Sequence, residues 1–283
     1  RDRDRVLHSK AFRRLKHKTQ VFINPEGDHY VTRLTHTLQV TQIGRSLANY
    51  LGLNEPLTEA ICLGHDVGHS PFGHTGEEAL TPYVEGEWHH AEQSVRVLRV
   101  LEPLNLTWEV LDGVRAHSWR IDPPPATPEG QLCRFADRIA YLTHDVEDAL
   151  RAAVIGRADL PRSAVEAFGD PGRQWISSMI RAVVDESMRR GRVAMEAAVL
   201  EVMTELRDFM FDRVYLRPEA QDQRRRAIEV IRDLVDRFLE RPDEIPDSYR
   251  SQDSDVTTQA IDYVSGMTDR YALNLHEELT RGS

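Results

Sequence analysis

His65-Asp66 sets an imidazole beside a carboxylate at the end of an apolar stretch, Ala60-Ile61-Cys62-Leu63-Gly64. At a helix end, both side chains can turn toward one cation. Two distant residues complete a ligand set: His36 and Asp137, each among apolar neighbours where an unpaired ionisable group is costly. Two imidazoles and two carboxylates form a mixed nitrogen–oxygen set. It suits Mn, Fe, Co, Zn or Mg better than a thiol-loving metal. Four protein ligands leave octahedral positions for water and a substrate oxygen, as metal-assisted hydrolysis requires. A lone His-Asp dipeptide is commonly a hydrogen-bonded surface pair. The helical geometry around its partners raises this one above that reading.

The elements that must position these groups are helical nearly throughout. Val31, Leu34, Leu38, Ile43, Leu47 and Leu51 recur at helical steps over 31–51, and Gly52 stops the run. His36 lies in that helix, with Arg33 three residues earlier on the same face, so a guanidinium next to a metal ligand suggests a bound anion. Asn54-Glu55-Pro56 caps a short helix reaching about residue 65. Gly68 to Gly76, with three glycines and Pro71, reads as a loop. Further helices are expected at roughly 76–84, 90–101, 108–116 and 131–153. Later periodic segments cover about 174–190, 193–214, 219–240 and 256–280, with breaks at Pro161, Pro171, Pro218, Pro242 and Pro246. The run Asp122 to Pro128 cannot be helix interior. Within 131–153, Asp137, Tyr141, His144, Asp145 and Asp148 share one face, while Leu132, Ile139, Leu142 and Val146 point elsewhere. Such a second, titratable stripe belongs to a surface helix or lines a polar pocket.

No alternating strand pattern, repeat or low-complexity tract occurs, so the expected class is all-α. A soft division near residue 155 separates a metal-binding core, 1–155, from a helical part, 156–283, packed on it as one continuous domain. The 283 residues are 40% hydrophobic and 29% charged, a soluble composition. No apolar run spans a bilayer, which predicts no membrane partner. Arg1-Asp2-Arg3-Asp4-Arg5 is neither signal nor transit peptide and starts inside a charged segment, which implies native residues upstream. Cys62 and Cys133 match no disulfide or zinc framework and fit reduced thiols in a cytoplasmic protein. The net charge of −10 weighs against a role in coating nucleic acid. Nine of the twelve histidines precede residue 91, which places the chemistry in the first third. Arg224-Arg225-Arg226 reads as a solvated helix face among Asp222, Glu229 and Asp233. Trp175, Phe209, Phe211, Tyr215 and Phe238 read as core or oligomer contacts.

Three longer motifs carry a resemblance. Thr32-Arg33-Leu34-Thr35-His36-Thr37, then Gly64-His65-Asp66-Val67-Gly68-His69-Ser70-Pro71-Phe72-Gly73-His74-Thr75-Gly76-Glu77, then Ala136-Asp137-Arg138-Ile139-Ala140-Tyr141 are similar to the deoxynucleoside triphosphate triphosphohydrolases of the HD superfamily. The likeness extends from Asp4-Arg5 and Phe12-Arg13-Arg14-Leu15 to Thr143-His144-Asp145 and Gly266-Met267-Thr268-Asp269-Arg270-Tyr271, nearly the whole chain. It implies an HD-domain helical core with additional C-terminal helices. The implied reaction is hydrolysis of a deoxynucleoside triphosphate to deoxynucleoside and intact inorganic triphosphate. One divalent cation would sit on His36, His65, Asp66 and Asp137.

The resemblance further makes His74 and Glu77 a catalytic pair, with His90 a further candidate. A carboxylate three residues after His74 can hold its tautomer, and such a pair can act on either the attacking water or the departing oxygen. Arg33 would hold phosphate oxygens, and His69 and Arg138 would lie along the triphosphate. Gln20, Tyr141 and Asp145 would contact the sugar. A triphosphate also calls for cations, which Arg13-Arg14-Leu15-Lys16-His17-Lys18 supplies if some of them turn inward. A homo-oligomer is usual for that family, and the alternative reading of Arg224-Arg225-Arg226 is an effector site for a nucleotide or single-stranded DNA at a subunit contact. His69, His74 and His90 binding a second metal is an alternative to substrate contact. The competing functions are another HD phosphohydrolase, either a nucleotide monophosphatase or a cyclic-dinucleotide phosphodiesterase, and a non-catalytic nucleotide- or DNA-responsive regulator.

Overall fold

The computed structural model describes residues 1–20, 32–217, 221–250 and 254–281. Val21, Val31, Pro218 and the start of the segment expected over 219–240 lie outside the described residues. Among the described residues the chain is helical, with one isolated bridge between Thr19 and Thr32 and no strand.

Ser9 opens the first cap: its Oγ accepts from the amide of Phe12, so α2 (Lys10–Arg14) starts cleanly after α1 (Asp2–Leu7). The long helix α3 (Arg33–Leu51) and the short α4 (Glu55–Gly64) follow. Asn54 Oδ1 caps the latter by accepting from Leu57 N at 3.1 Å. Helix α5 (His74–Leu80) begins two residues earlier than the expected 76–84. The reason is Gly73: at φ 59° it turns the chain so that its carbonyl accepts from Gly76 and Glu77, and a helix can start there. Helix α6 (His90–Arg96) passes into a π-helical turn, Val97–Leu101, where a single longer helix was expected.

Helix α7 (Trp108–Arg115) precedes α8 (Pro128–Arg151), whose first residue closes the proline-rich run. Proline suits a first helical turn, and Thr127 Oγ1 accepts from Gly130 N at 3.1 Å. Helix α9 (Arg162–Phe168) follows Pro161 in a stretch with no expected helix, then α10 (Arg173–Arg190). Helix α11 (Ala197–Met210) starts later than the expected 193, because Ser187 Oγ ties down both the amide and carbonyl of Ala194. A second π-helical turn, Phe211–Tyr215, ends it. After α12 (Gln221–Glu240), the segment expected over 256–280 is two helices, α13 (Val256–Ser265) and α14 (Asp269–Arg281). Its break is held by cations on terminal carbonyls: Lys18 Nζ donates to Ser265 O at 2.9 Å and Arg14 to Gly266 O at 2.9 Å.

The chain gathers into two compact units, each drawn from separate stretches. The first is Arg1–Thr35, Gly64–Leu106 and Asp222–Ser283; the second is His36–Leu63 and Thr107–Gln221. The first unit's core joins Leu80 and Trp88 to Ile231, Leu234, Phe238 and Val264 of the late helices. In the second unit α8 is the hub, packed by α7, α10 and α11, with Leu132, Ile139, Leu142 and Val146 fully buried. Both cysteines are buried. Among the described residues no helix is long and apolar enough to cross a membrane.

Candidate active site

In the first unit the His65–Asp66 turn leaves the end of α4 and is clamped from α6. Ser94 Oγ donates to His65 O at 2.8 Å and accepts from Gly68 N at 2.9 Å. Only glycine fits at position 68, since a Cβ there would stand 2.1 Å from the Ser94 amide nitrogen. Lys18 anchors the same loop by donating from Nζ to His69 O. Asp269 ties the loop further on, accepting from Phe72 N at 3.1 Å and from Thr19 N at 2.9 Å.

The turn delivers Asp66, 3% exposed, into a ring of cations. Arg33 Nη1 donates to its Oδ2 at 2.6 Å; His65 Nε2 lies 3.4 Å and His90 Nε2 3.6 Å from its Oδ1. Burial alone would raise the Asp66 carboxyl, but His65 and Arg33, then His69 and His90, hold it well below the usual carboxylate range. Arg33 also donates to Thr19 O at 3.3 Å and Gln20 O at 3.5 Å. Gln20 Oε1 is buried with no hydrogen-bond partner among the described residues.

Glu77 accepts from the His90 backbone N–H at 3.0 Å and faces the His90 Nδ1 at 2.5 Å. Among the described residues no hydrogen bond joins it to His74. Burial would raise the Glu77 carboxyl, but His90 brings it down to about 2. Burial depresses His90 in turn, and Glu77 outweighs it, so the imidazole is raised. His69 stacks on His90 at 4.2 Å, and His74 meets His69 edge-on at 5.5 Å. Burial, with Arg33 and His90 nearby, holds His69 well below its ordinary value; burial also lowers His74 against the pull of Glu77. His69 Nδ1 is buried without a hydrogen-bond partner among the described residues. The ligand atoms of Asp66, His69 and His90 lie within 4.8 Å of one another.

In the second unit the polar face of α8 is the organising feature. Asp137 Oδ1 lies 3.1 Å from His36 Nε2. Asp145 Oδ2 accepts from the Tyr215 hydroxyl at 2.6 Å. Burial pushes the Asp145 carboxyl up to about 7, although the Tyr215 bond opposes it. Burial likewise raises Tyr141 to about 12, with Arg138 pulling the other way. His144 directs Nδ1 to Ala140 O at 2.8 Å, which commits it to its own helix.

Each donor pair, taken within its own unit, has a spacing that a divalent cation accepts. Two ligands on one ion at ~2.1 Å each stand roughly 3 to 3.5 Å apart. The His36–Asp137 and His65–Asp66 separations, 3.1 and 3.4 Å, match that spacing. All four donors are imidazole nitrogens or carboxylate oxygens, the set that first-row and alkaline-earth cations accept.

Three residues with roles in this arrangement escaped the sequence reading: Ser94, Lys18 and Tyr215. Lys18 stood in the basic run without being singled out, and Tyr215 read as packing. No spacing rule flags them, because each works through hydrogen bonds to residues distant in sequence.

Comparison with known proteins places this fold in a family. The HD domain family model matches residues 33–142, and that of the phosphohydrolase-associated domain matches 193–278. A deoxyguanosinetriphosphate triphosphohydrolase-like protein of Caldanaerobacter subterraneus subsp. tengcongensis is 48% identical, covering 99% of this chain and 84% of its own length. Similar proteins of the same description are 43% identical in Clostridium perfringens strain 13, over 96% of this chain and 84% of theirs, and 41% in Desulfatibacillum aliphaticivorans, over 99% and 86%. A crystal structure of a hypothetical protein from Aquifex aeolicus shares the fold with a TM-score of 0.56 at 20% identity, covering 97% of this chain and 67% of that one. The class is thus that of the HD phosphohydrolases. Within it, the chain belongs to the family of deoxyguanosinetriphosphate triphosphohydrolase-like proteins.

Proposed function

We propose that this protein hydrolyses deoxynucleoside triphosphates to deoxynucleoside and inorganic triphosphate. The observation that carries the reading is the buried Glu77–His90 pair, set among His69, His74 and Asp66 in one unit. The names of the relatives support the substrate class. His36, His65, Asp66 and Asp137 would hold one divalent cation, which when bound would supply Lewis-acid polarisation and a water of lowered pKa.

The chain's own residues do the rest. Glu77 holds the Nδ1 side of His90, which leaves Nε2 as the atom that exchanges a proton at the reacting centre. Water attacks the α-phosphorus and gives up a proton as the new P–O bond forms, while the P–O bond to the 5′ oxygen breaks and that oxygen gains a proton. His90 and His74 are the groups placed to manage protons there. His69, with an unsatisfied ring nitrogen, and Arg33 meet phosphate oxygens. Arg138 lies along the triphosphate, and Tyr141, Asp145 and Gln20 read the deoxyribose. The protein acts in the cytoplasm as a soluble enzyme.

The test is incubation with each of the four deoxynucleoside triphosphates and Mg or Mn, followed by anion-exchange chromatography. Deoxynucleoside with inorganic triphosphate supports the reading. Release of orthophosphate or pyrophosphate, or no turnover of any of the four, refutes it.

A further inference from the structure

The second unit holds an arrangement that neither the metal ligands nor the sugar contacts absorb. Trp119, 36% exposed, carries two guanidiniums on its ring: Arg138 at 4.2 Å from the centroid and Arg134 at 4.8 Å. The indole is itself fixed, donating from Nε1 to Arg134 O at 3.1 Å and meeting Phe135 edge-on at 5.2 Å. Like charges repel, and placing two cations on one aromatic plate concentrates that repulsion. A structural role would be expected to bring a carboxylate to them. Among the described residues neither arginine has an ion-pair partner, and the Nε of each is buried with no hydrogen bond. Arg134 spends one terminal N–H on Ser118 O at 3.1 Å, and the only carboxylate influence on it is the longer-range one of Asp122. Uncompensated paired cations with fork-shaped donors match the oxygens of a phosphate.

Position adds a second argument. Arg134, Arg138, Tyr141 and Asp145 follow steps of four, three and four, so they form one stripe of α8. Arg138 lies ~10 Å from Asp145 along the axis, and Arg134 another ~6 Å beyond. The stripe therefore runs from a sugar-reading end to a doubly cationic end, the order of groups in a nucleoside polyphosphate.

We propose that Trp119, Arg134 and Arg138 form a subsite for the terminal phosphate of the polyphosphate chain, with Trp119 as the plate that holds both guanidiniums in register. This rests on the reading of the substrate given above and extends it to two residues, Trp119 and Arg134. Cation–π contact fixes the planes of the two forks, so that their remaining N–H edges present together to one anion.

The test uses the full chain in EDTA, so that metal and turnover play no part, with inorganic triphosphate as the probe and calorimetry as the readout. Wild-type protein should bind triphosphate more tightly than orthophosphate. Arg134→Gln should weaken triphosphate binding ~10-fold, as loss of a charge-assisted hydrogen bond does. Trp119→Leu should weaken it as well, with Trp119→Phe restoring part of the loss while a circular dichroism melt stays near wild type. Unchanged affinity in both Arg134→Gln and Trp119→Leu overturns the proposal, as does wild-type protein that does not prefer triphosphate. The two readings fail separately. Triphosphate binding sensitive to these residues without dNTP turnover leaves the subsite standing, whereas triphosphate-releasing turnover with insensitive binding removes the subsite alone.

Discussion

In the first unit the reactive side chains hang from a loop and the starts of two short helices; in the second they line one long helix, α8. The loop residues need fastening from elsewhere. Ser94 clasps both ends of the His65–Gly68 turn, Lys18 holds His69 O, and Asp269 holds Phe72 N. The residues of α8 need little of this, because the helix already fixes their order and spacing. The chemistry divides the same way. The first unit gathers imidazoles around Glu77 and Asp66, groups suited to moving protons. The second sets cations, phenols and a buried acid in a row, suited to reading a ligand along its length.

Four substitutions probe the difference between the units. The largest effect should come from Asp137→Ala, which removes a proposed cation ligand. Elemental analysis should find divalent metal lost, and turnover should fall by roughly 10³-fold or more. Wild-type metal content in that variant would remove Asp137 from the ligand set.

Next is Tyr215→Phe, which takes the donor from Asp145. If the α8 stripe serves recognition, KM for a deoxynucleoside triphosphate should rise ~10-fold with kcat less affected, the effect of losing one hydrogen bond to an acid. A fall in kcat alone would move Tyr215 to the chemical step. Ser94→Ala sharpens the other side: it orphans a buried amide and a carbonyl in the first unit's loop. We expect a loss of about 2 kcal/mol, read as a thermal midpoint lowered by several degrees.

A further effect concerns pH. Asp145 is pushed up to about 7 by burial, whereas an unfolded aspartate titrates near ~4. The native state therefore binds this proton more tightly. Its contribution to stability is complete below pH ~4 and is lost as pH rises toward about 7. Asp145→Asn cannot titrate, so its stability relative to wild type should improve from pH 4 to pH 7, by on the order of a few kcal/mol, in EDTA. An equal offset at both pH values would show that Asp145 does not titrate in that window.

What the sequence made legible follows the same division. Helical periodicity gave the all-α class, and the apolar steps of α3 and α8 located His36 and Asp137 on helices. The shared face of Asp137, Tyr141 and Asp145 could be read from spacing alone. The first unit's pairings could not, because a glycine-rich loop has no period. Three-residue spacing joined Glu77 to His74, yet the fold spends that carboxylate on His90, thirteen residues on. The break between α13 and α14 was hidden for a related reason. Both halves keep an amphipathic pattern, and what stops the first is Lys18 and Arg14 taking its last carbonyls, hydrogen bonds from residues about 250 positions away. Trp119 offered no signal at all, since its partners meet it only when α8 and the preceding loop are folded.

In the proposed reaction the Glu77–His90 pair manages the proton while other groups hold the substrate. Steady-state kinetics of Glu77→Gln with a deoxynucleoside triphosphate, alongside its metal content, test this directly. In that variant kcat should fall by about 10²–10⁴, with KM and bound metal near wild type. Undiminished kcat, or a change confined to KM, would contradict it.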